Sequence, residues 1–121
     1  MNEDIRTRLV EDAAVIYSGP YLNQLRGERI EMVCQELLDQ GVRRIVVNFE
    51  ETELINSIGI SILLGVIESV NNARGGLVLS NVNQSNRELF EMLGLGAHVV
   101  MAETEELALL SLTGETVEAM G

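Results

Sequence analysis

Ser57 is the residue of this chain whose position most clearly suggests chemistry. Upstream of it, residues 43–49 form a short apolar run that predicts a buried strand. Downstream, the apolar residues from Ile60 to Ile67 recur at i, i+3, i+4 and i+7, which is the spacing of one helix face. We therefore expect Ser57 to be the N-cap of that helix. A helix N-terminus has backbone N–H groups without intrahelical partners and carries the positive end of the helix dipole, so it favours an oxygen ligand or an anion.

A serine at the start of a helix can do three things. It can cap the helix, contact a partner or be phosphorylated, and capping is the commonest of these roles. The predicted helix also has a second apolar row, formed by Ile58, Ile62 and Val66, beside the first. Such a helix is either deeply buried or used in part as a docking surface.

The remaining residues argue against catalysis and metal binding. His98 is the single histidine and stands at the start of a predicted strand, far in the sequence from Cys34 and Ser57. No nucleophile elbow or paired-histidine motif accompanies it, and one cysteine with one histidine cannot build a structural zinc site. Cys34 lies on an apolar helix face and is expected to be a buried thiol. We therefore expect no enzyme activity, no metal and no cofactor.

Composition restricts the possible partners. The 121 residues, 46% of them hydrophobic, suit one domain with its own core. The formal net charge of -11 disfavours binding to nucleic acid or to anionic lipid, and the aromatic content of 3% leaves few stacking platforms. The first residues lack the pattern of a secretory signal, and no apolar run approaches the roughly 20 residues that span a bilayer. We therefore expect a soluble, cytoplasmic protein.

Strand and helix patterns alternate along the chain. The predicted elements are a hairpin of residues 5–10 and 13–18, a helix after Pro20, a strand at 45–49, a helix from Ser57, a strand at 77–79, a helix near residues 89–93, a strand at 99–101 and a helix at 105–112. Residues 85–88 fit a capping box, and Gly41 and Gly94 should end the helices before them. This order predicts a single α/β domain over residues 1–112, with a mixed, mainly parallel sheet, an N-terminal antiparallel hairpin and about four helices. Residues 113–121 are expected to form a flexible tail.

Three segments, in this order, resemble the STAS domain family, and within it the bacterial anti-sigma-factor antagonists. Residues 14–19 resemble the family's second strand, and residues 91–95 resemble the end of its third helix. Between them, residues 54–60 are similar to its Asp-Ser-Ser/Thr-Gly-Leu switch segment. The resemblance covers nearly the whole chain and implies a STAS-like fold.

The resemblance also implies a function. Ser57 would be phosphorylated by a partner anti-sigma factor that is itself a kinase, and the unphosphorylated chain would bind that partner and free a sigma factor. A metal-dependent Ser/Thr phosphatase would regenerate the binding form. The implied contact surface consists of Asn56, Ser57, Ile58, Gly59, Asn83 and Tyr21.

Three positions depart from the family pattern. Asn56 replaces the acidic residue before the switch serine, Ile58 replaces the second hydroxyl, and Asn48 stands where the preceding strand commonly has Asp. Both asparagines remove negative charge near Ser57, on which kinase recognition or a metal contact could depend. The alternative is a constitutively active antagonist, a non-switching STAS scaffold or an accessory subunit of a transport assembly, and in the latter two Ser57 would only cap its helix.

Overall fold

Seven strands and four α-helices occur within residues 5–113, the part of the chain that the computed structural model describes. In chain order they are β1 (Thr7–Val10), β2 (Ala13–Tyr17), β3 (Tyr21–Leu22), α1 (Gln24–Asp39), β4 (Arg44–Asn48), β5 (Leu54–Ile55), α2 (Ser57–Asn72), β6 (Gly76–Ser80), α3 (Gln84–Met92), β7 (Val100–Ala102) and α4 (Glu105–Thr113). A 3-10 turn, Leu95–Ala97, separates α3 from β7. The predicted α/β class is confirmed.

Five strands form the main sheet, in the order β1-β2-β4-β6-β7. Strand β1 pairs antiparallel with β2, and the other neighbours are parallel. The predicted N-terminal hairpin and mainly parallel sheet are therefore both correct. The register aligns Tyr17, Asn48 and Ser80 at the carboxyl ends of β2, β4 and β6.

Alternate residues of the sheet face two different layers. One face, which includes Ile16, Val47 and Leu79, belongs to the larger apolar cluster shared with α1, α2 and α3. The opposite face, which includes Val15 and Val46, packs with α4. This alternation follows from the two-residue period of strand side chains.

Cys34 is buried in the larger cluster, as its position on an apolar helix face predicted. Burial disfavours the charged thiolate and raises the pKa of the Cys34 thiol to about 11. The thiol therefore remains protonated at neutral pH and acts as a core side chain.

A second, two-stranded sheet brings the starts of α1 and α2 together. Strands β3 and β5 are parallel, with Tyr21 opposite Leu54 and Leu22 opposite Ile55. Each strand is followed by one asparagine and then by its helix, so the two helices begin side by side. They approach closely at Gly27, where an added Cβ would lie 3.2 Å from the side chain of Ile62. The sequence patterns did not predict these two short strands.

The predicted helix ends are partly correct. Gly41 and Gly94 follow α1 and α3 with φ of 95° and 82°, the left-handed region that glycine adopts without strain. The predicted capping box at residues 85–88 is wrong, because α3 is capped by Asn83, whose side chain accepts a hydrogen bond from Asn86 N at 2.8 Å. His98 is exposed and follows the 3-10 turn, and β7 begins at Val100.

Thr113 is the last residue of α4, and the rest of the predicted tail, residues 114–121, lies outside the described residues together with residues 1–4. Between residues 5 and 113, no helix combines the length and apolarity needed to cross a membrane.

Candidate functional site

Asn56, and not Ser57, caps helix α2. The Asn56 backbone is extended, with φ of -106° and ψ of 170°, and its Oδ1 accepts a hydrogen bond from Gly59 N at 2.8 Å. Ser57 is the first residue of the helix itself, so the prediction that it is the N-cap is wrong. Asparagine and serine are about equally good N-caps. The helix therefore begins one residue earlier than the serine alone suggested.

This capping arrangement leaves the Ser57 hydroxyl unused by the fold. Ser57 is exposed, and within residues 5–113 its side chain makes no hydrogen bond. Asn56 and Ile58 on either side of it are also exposed, and Ile58 keeps 51% of its surface accessible. The hydroxyl therefore lies at the open end of a helix, where a second macromolecule can reach it.

Gly59 lies beneath this surface. It is buried, and an added Cβ would lie 2.7 Å from the backbone oxygen of Leu22. Only a residue without a side chain lets the first turn of α2 approach β3 so closely. Gly59 therefore positions Ser57 against the small sheet, and its contribution to any contact surface is indirect.

A groove of about 450 Å³ runs over the small sheet next to the start of α2. Its two most exposed apolar walls are Tyr21 and Leu54, which are 40% and 72% accessible and lie opposite each other in the β3–β5 pair. The groove is lined by Tyr21, Leu22, Asn23, Leu54, Ile55 and Asn56. The structure thus brings two of the predicted contact residues, Tyr21 and Asn56, to one groove. Leu54 was not among those residues, although its place in the switch segment was a signal.

Asn83 lies next to the loop that precedes β5, because its side chain is hydrogen-bonded to that loop. Its Nδ2 donates to the backbone oxygen of Thr52 at 3.4 Å, and Asn86 Nδ2 donates to the same oxygen at 3.1 Å. The Thr52 hydroxyl in turn donates to Gly19 O at 2.6 Å. Asn83 therefore caps α3 and supports this loop.

Asn48 belongs to a polar network with α4. Its Nδ2 donates to Oε1 of Glu105 at 2.9 Å, and its Oδ1 accepts a hydrogen bond from Glu50 N at 2.7 Å. The Tyr17 hydroxyl also donates to Glu105, at 3.0 Å, and Arg8 forms an ion pair with it. Burial raises the pKa of Glu105, but the hydrogen bonds from Asn48, Tyr17 and Arg8 together outweigh it and lower that pKa below its usual value.

The network explains one departure from the family pattern. Asn48 is buried, and its side chain both donates to Glu105 and accepts from Glu50 N. An ionised aspartate at this position could accept but could not donate. The carboxylate at this position of the structure belongs to Glu105 of α4, to which Asn48 donates. Sequence analysis missed Glu105, since it is 57 residues away from Asn48 along the chain.

The exposed charges in the loop that leads to the site are acidic. Glu50, Glu51 and Glu53, in the loop between β4 and β5, are all exposed. Within residues 5–113, no group of three or more His, Cys, Asp or Glu side chains is arranged to hold a metal ion. The surface around Ser57 thus combines an accessible hydroxyl, an apolar groove and an acidic edge.

Fold and site together define a small α/β domain in which the start of one helix is exposed. The STAS domain model matches residues 5–108, and the chain belongs to this family. The resemblance noted in the sequence is confirmed.

Two proteins similar to this chain are named as anti-sigma factor antagonists. BtrV of Bordetella bronchiseptica, assigned as an anti-sigma factor antagonist, is 29% identical over 87 residues, which cover 72% of this chain and 75% of BtrV. Unphosphorylated SpoIIAA, an anti-sigma factor antagonist, is 25% identical with a TM-score of 0.72, over 91% of this chain and 98% of its own.

Two further structures share the fold. TM1081 of Thermotoga maritima has a TM-score of 0.82 at 18% identity, over 90% of this chain and 94% of its own. The phosphorylated form of SpoIIAA from Bacillus has a TM-score of 0.67 at 24% identity, over 97% of this chain and 99% of its own.

Proposed function

We propose that this protein is an anti-sigma factor antagonist whose binding is switched by phosphorylation of Ser57. In the unphosphorylated form it binds an anti-sigma factor that is a serine kinase, and this binding frees a sigma factor for transcription. Phosphorylation by that kinase releases the antagonist, and a Ser/Thr phosphatase restores the binding form. The domain acts as a binding module and not as an enzyme.

The exposed Ser57 hydroxyl, left without a structural task by the Asn56 cap, is the observation that carries this proposal. A kinase must bring the γ-phosphate of ATP in line with the hydroxyl it modifies, so an accessible and fixed hydroxyl suits it. The first turn of α2 is held in place by Gly59 against Leu22. Ser57 can therefore be modified without local unfolding.

Phosphorylation should change binding much more than folding. A phosphoserine adds a charge of about -1.5 to -2 and three acceptor oxygens, and the N-terminus of α2 favours an anion at this position. In the complex, however, the same phosphate would meet the phosphates of the nucleotide that the kinase holds. A few kcal/mol of such repulsion lowers affinity by orders of magnitude, because about 1.4 kcal/mol corresponds to a factor of ten.

The alternative of a non-switching scaffold assigned Ser57 a capping role. The structure gives that role to Asn56, so the alternative no longer explains why a serine stands at this position. With asparagine in place of an acidic residue at positions 48 and 56, the exposed start of α2 and the groove beside it are still available to a partner. A kinase that recognises Ser57 would do so through the apolar groove and the helix start.

The proposal is tested by mapping the modified residue. The full chain is incubated with a recombinant anti-sigma factor kinase and Mg-ATP, and the phosphate is located by mass spectrometry. We expect a single phosphate on Ser57, with none on the Ser57→Ala variant and normal labelling of the control Ser61→Ala, an exposed serine one turn later in α2. Modification at another residue only, or of Ser57→Ala to the same extent, would contradict the proposal.

A further inference from the structure

We propose that the anti-sigma factor anchors itself in the groove over β3 and β5 with an apolar side chain that is flanked by basic residues. This inference rests on the proposed function and adds a second determinant to it. Ser57 would decide whether the complex forms, and the groove would set its affinity and its choice of partner.

The groove has the form of an anchor site. Tyr21 and Leu54 stand opposite each other as its walls, and the buried Leu22 and half-buried Ile55 lie below them. Its volume of about 450 Å³ accommodates one large side chain. Interface energy is usually concentrated in such pockets, where an aromatic or aliphatic side chain is fully desolvated.

The exposed apolar walls are not needed for the core of this domain. Neither Tyr21 nor Leu54 belongs to the two clusters of core residues, and Leu54 is among the most exposed large apolar side chains of the described chain. Exposed apolar side chains grouped around a concave surface mark an interaction site more often than single ones do.

Charge at the groove indicates the chemistry of the partner. Glu53 immediately precedes Leu54, and its backbone N–H donates to Pro20 O at 3.0 Å, so it stands at the end of the groove where both strands begin. Glu50 and Glu51, also exposed, precede it in the same loop. An acidic edge beside an apolar groove fits a partner segment that presents lysine or arginine next to its apolar anchor.

The groove is held in shape before any partner binds. The guanidinium of Arg26 lies 5.9 Å from the centre of the Tyr21 ring, and Arg26 Nε donates to Ser18 O at 2.9 Å. Asn56 lines the groove and also caps the helix that Ser57 begins. A partner that reaches Ser57 therefore covers the groove as well, and little ordering is required on this side.

The test measures the affinity of the full chain for the anti-sigma factor kinase that phosphorylates Ser57, by isothermal titration with ADP present. Leu54→Ser should weaken binding about tenfold or more, as expected for an anchor contact. Leu9→Ser is the matched control, because Leu9 is 67% exposed on the edge strand β1 and should change affinity less than about twofold. Glu53→Gln should lower affinity at low salt and have a smaller effect at high salt.

The outcomes separate the two proposals. If Leu54→Ser binds as tightly as the unchanged chain while Ser57→Asp no longer binds, the anchor groove is refuted and the phosphorylation switch stands. If Leu9→Ser loses as much affinity as Leu54→Ser, the effect is not specific to the groove and the inference is again refuted. If Ser57→Asp binds as tightly as the unchanged chain, the proposed switch at Ser57 is refuted, whatever the result for Leu54→Ser. Thermal melting of Leu54→Ser, expected to match the unchanged chain, shows that any loss of binding is not a loss of fold.

Discussion

Alanine at position 56 should destabilise the domain, whereas alanine at the neighbouring position 57 should not. Asn56→Ala removes the acceptor that holds Gly59 N at 2.8 Å, and loss of an N-cap costs about 1 kcal/mol of unfolding free energy. For 121 residues, an unfolding entropy of about 2.1 cal/mol/K per residue converts this loss into a melting temperature lower by about 4 °C. Ser57→Ala removes an exposed hydroxyl that makes no hydrogen bond within residues 5–113, so its effect should stay within about 0.5 kcal/mol.

Urea unfolding followed by circular dichroism measures both variants under the same conditions. Asn56→Asp is the control, since aspartate caps as well as asparagine and its charge is favourable at a helix N-terminus. It should be at least as stable as the unchanged chain at neutral pH. If Ser57→Ala loses about 1 kcal/mol and Asn56→Ala loses nothing, Ser57 is the cap after all and the argument for a free hydroxyl fails.

Substitutions at Gly59 and Asn48 test two contacts made near the carboxyl end of the sheet and the start of α2. Gly59→Ala should lower the free energy of unfolding by about 1–3 kcal/mol in urea, because its Cβ would overlap the Leu22 backbone oxygen. Gly65→Ala is the control in the same helix. Its Cβ would meet nothing within 4 Å, so it should raise the free energy of unfolding by up to about 1 kcal/mol. Equal effects at both positions would refute the close approach. Asn48→Asp should lower the free energy of unfolding by about 1–3 kcal/mol at pH 7, because it replaces a donor to Glu105 by a like charge. Part of this loss should be regained at pH 5, where the two carboxyl groups can share a proton. A loss that does not depend on pH would exclude charge repulsion as its cause.

Glu105→Gln tests the lowered pKa of Glu105 by the same measurement at several pH values. A carboxyl group whose folded-state pKa is depressed contributes stability above its unfolded pKa, near 4.5, and loses it as the pH falls through the folded value. The unchanged chain should therefore lose stability more steeply than Glu105→Gln below about pH 5. Parallel curves for the two proteins would show that the network does not favour the ionised form.

Much of the fold is readable from local patterns. Apolar runs and helical periodicity place the main strands and helices, because each such element has one face in the core. Glycines at positions 41 and 94 mark helix ends, because the backbone there is left-handed and glycine adopts that conformation without strain. The family resemblance then places the start of α2 at the surface.

The missed features depend on contacts between distant segments. Strands β3 and β5 have two residues each, which is too short for a period-two pattern to be recognised. Asn56 and Ser57 are both good caps, so local preference could not decide between them. The partnership of Asn48 with Glu105 depends on how α4 packs on the sheet, and no local signal reports it.

The phosphorylation switch is decided by comparing the two forms of one preparation. The chain is phosphorylated on Ser57, half of it is then dephosphorylated with a Ser/Thr phosphatase, and both halves are titrated with the anti-sigma factor kinase. The phosphorylated half should bind at least about tenfold more weakly, which corresponds to 1.4 kcal/mol or more, while both halves melt at nearly the same temperature. Equal affinity of the two halves would contradict the switch, and the exposed hydroxyl at the start of α2 would then need another explanation.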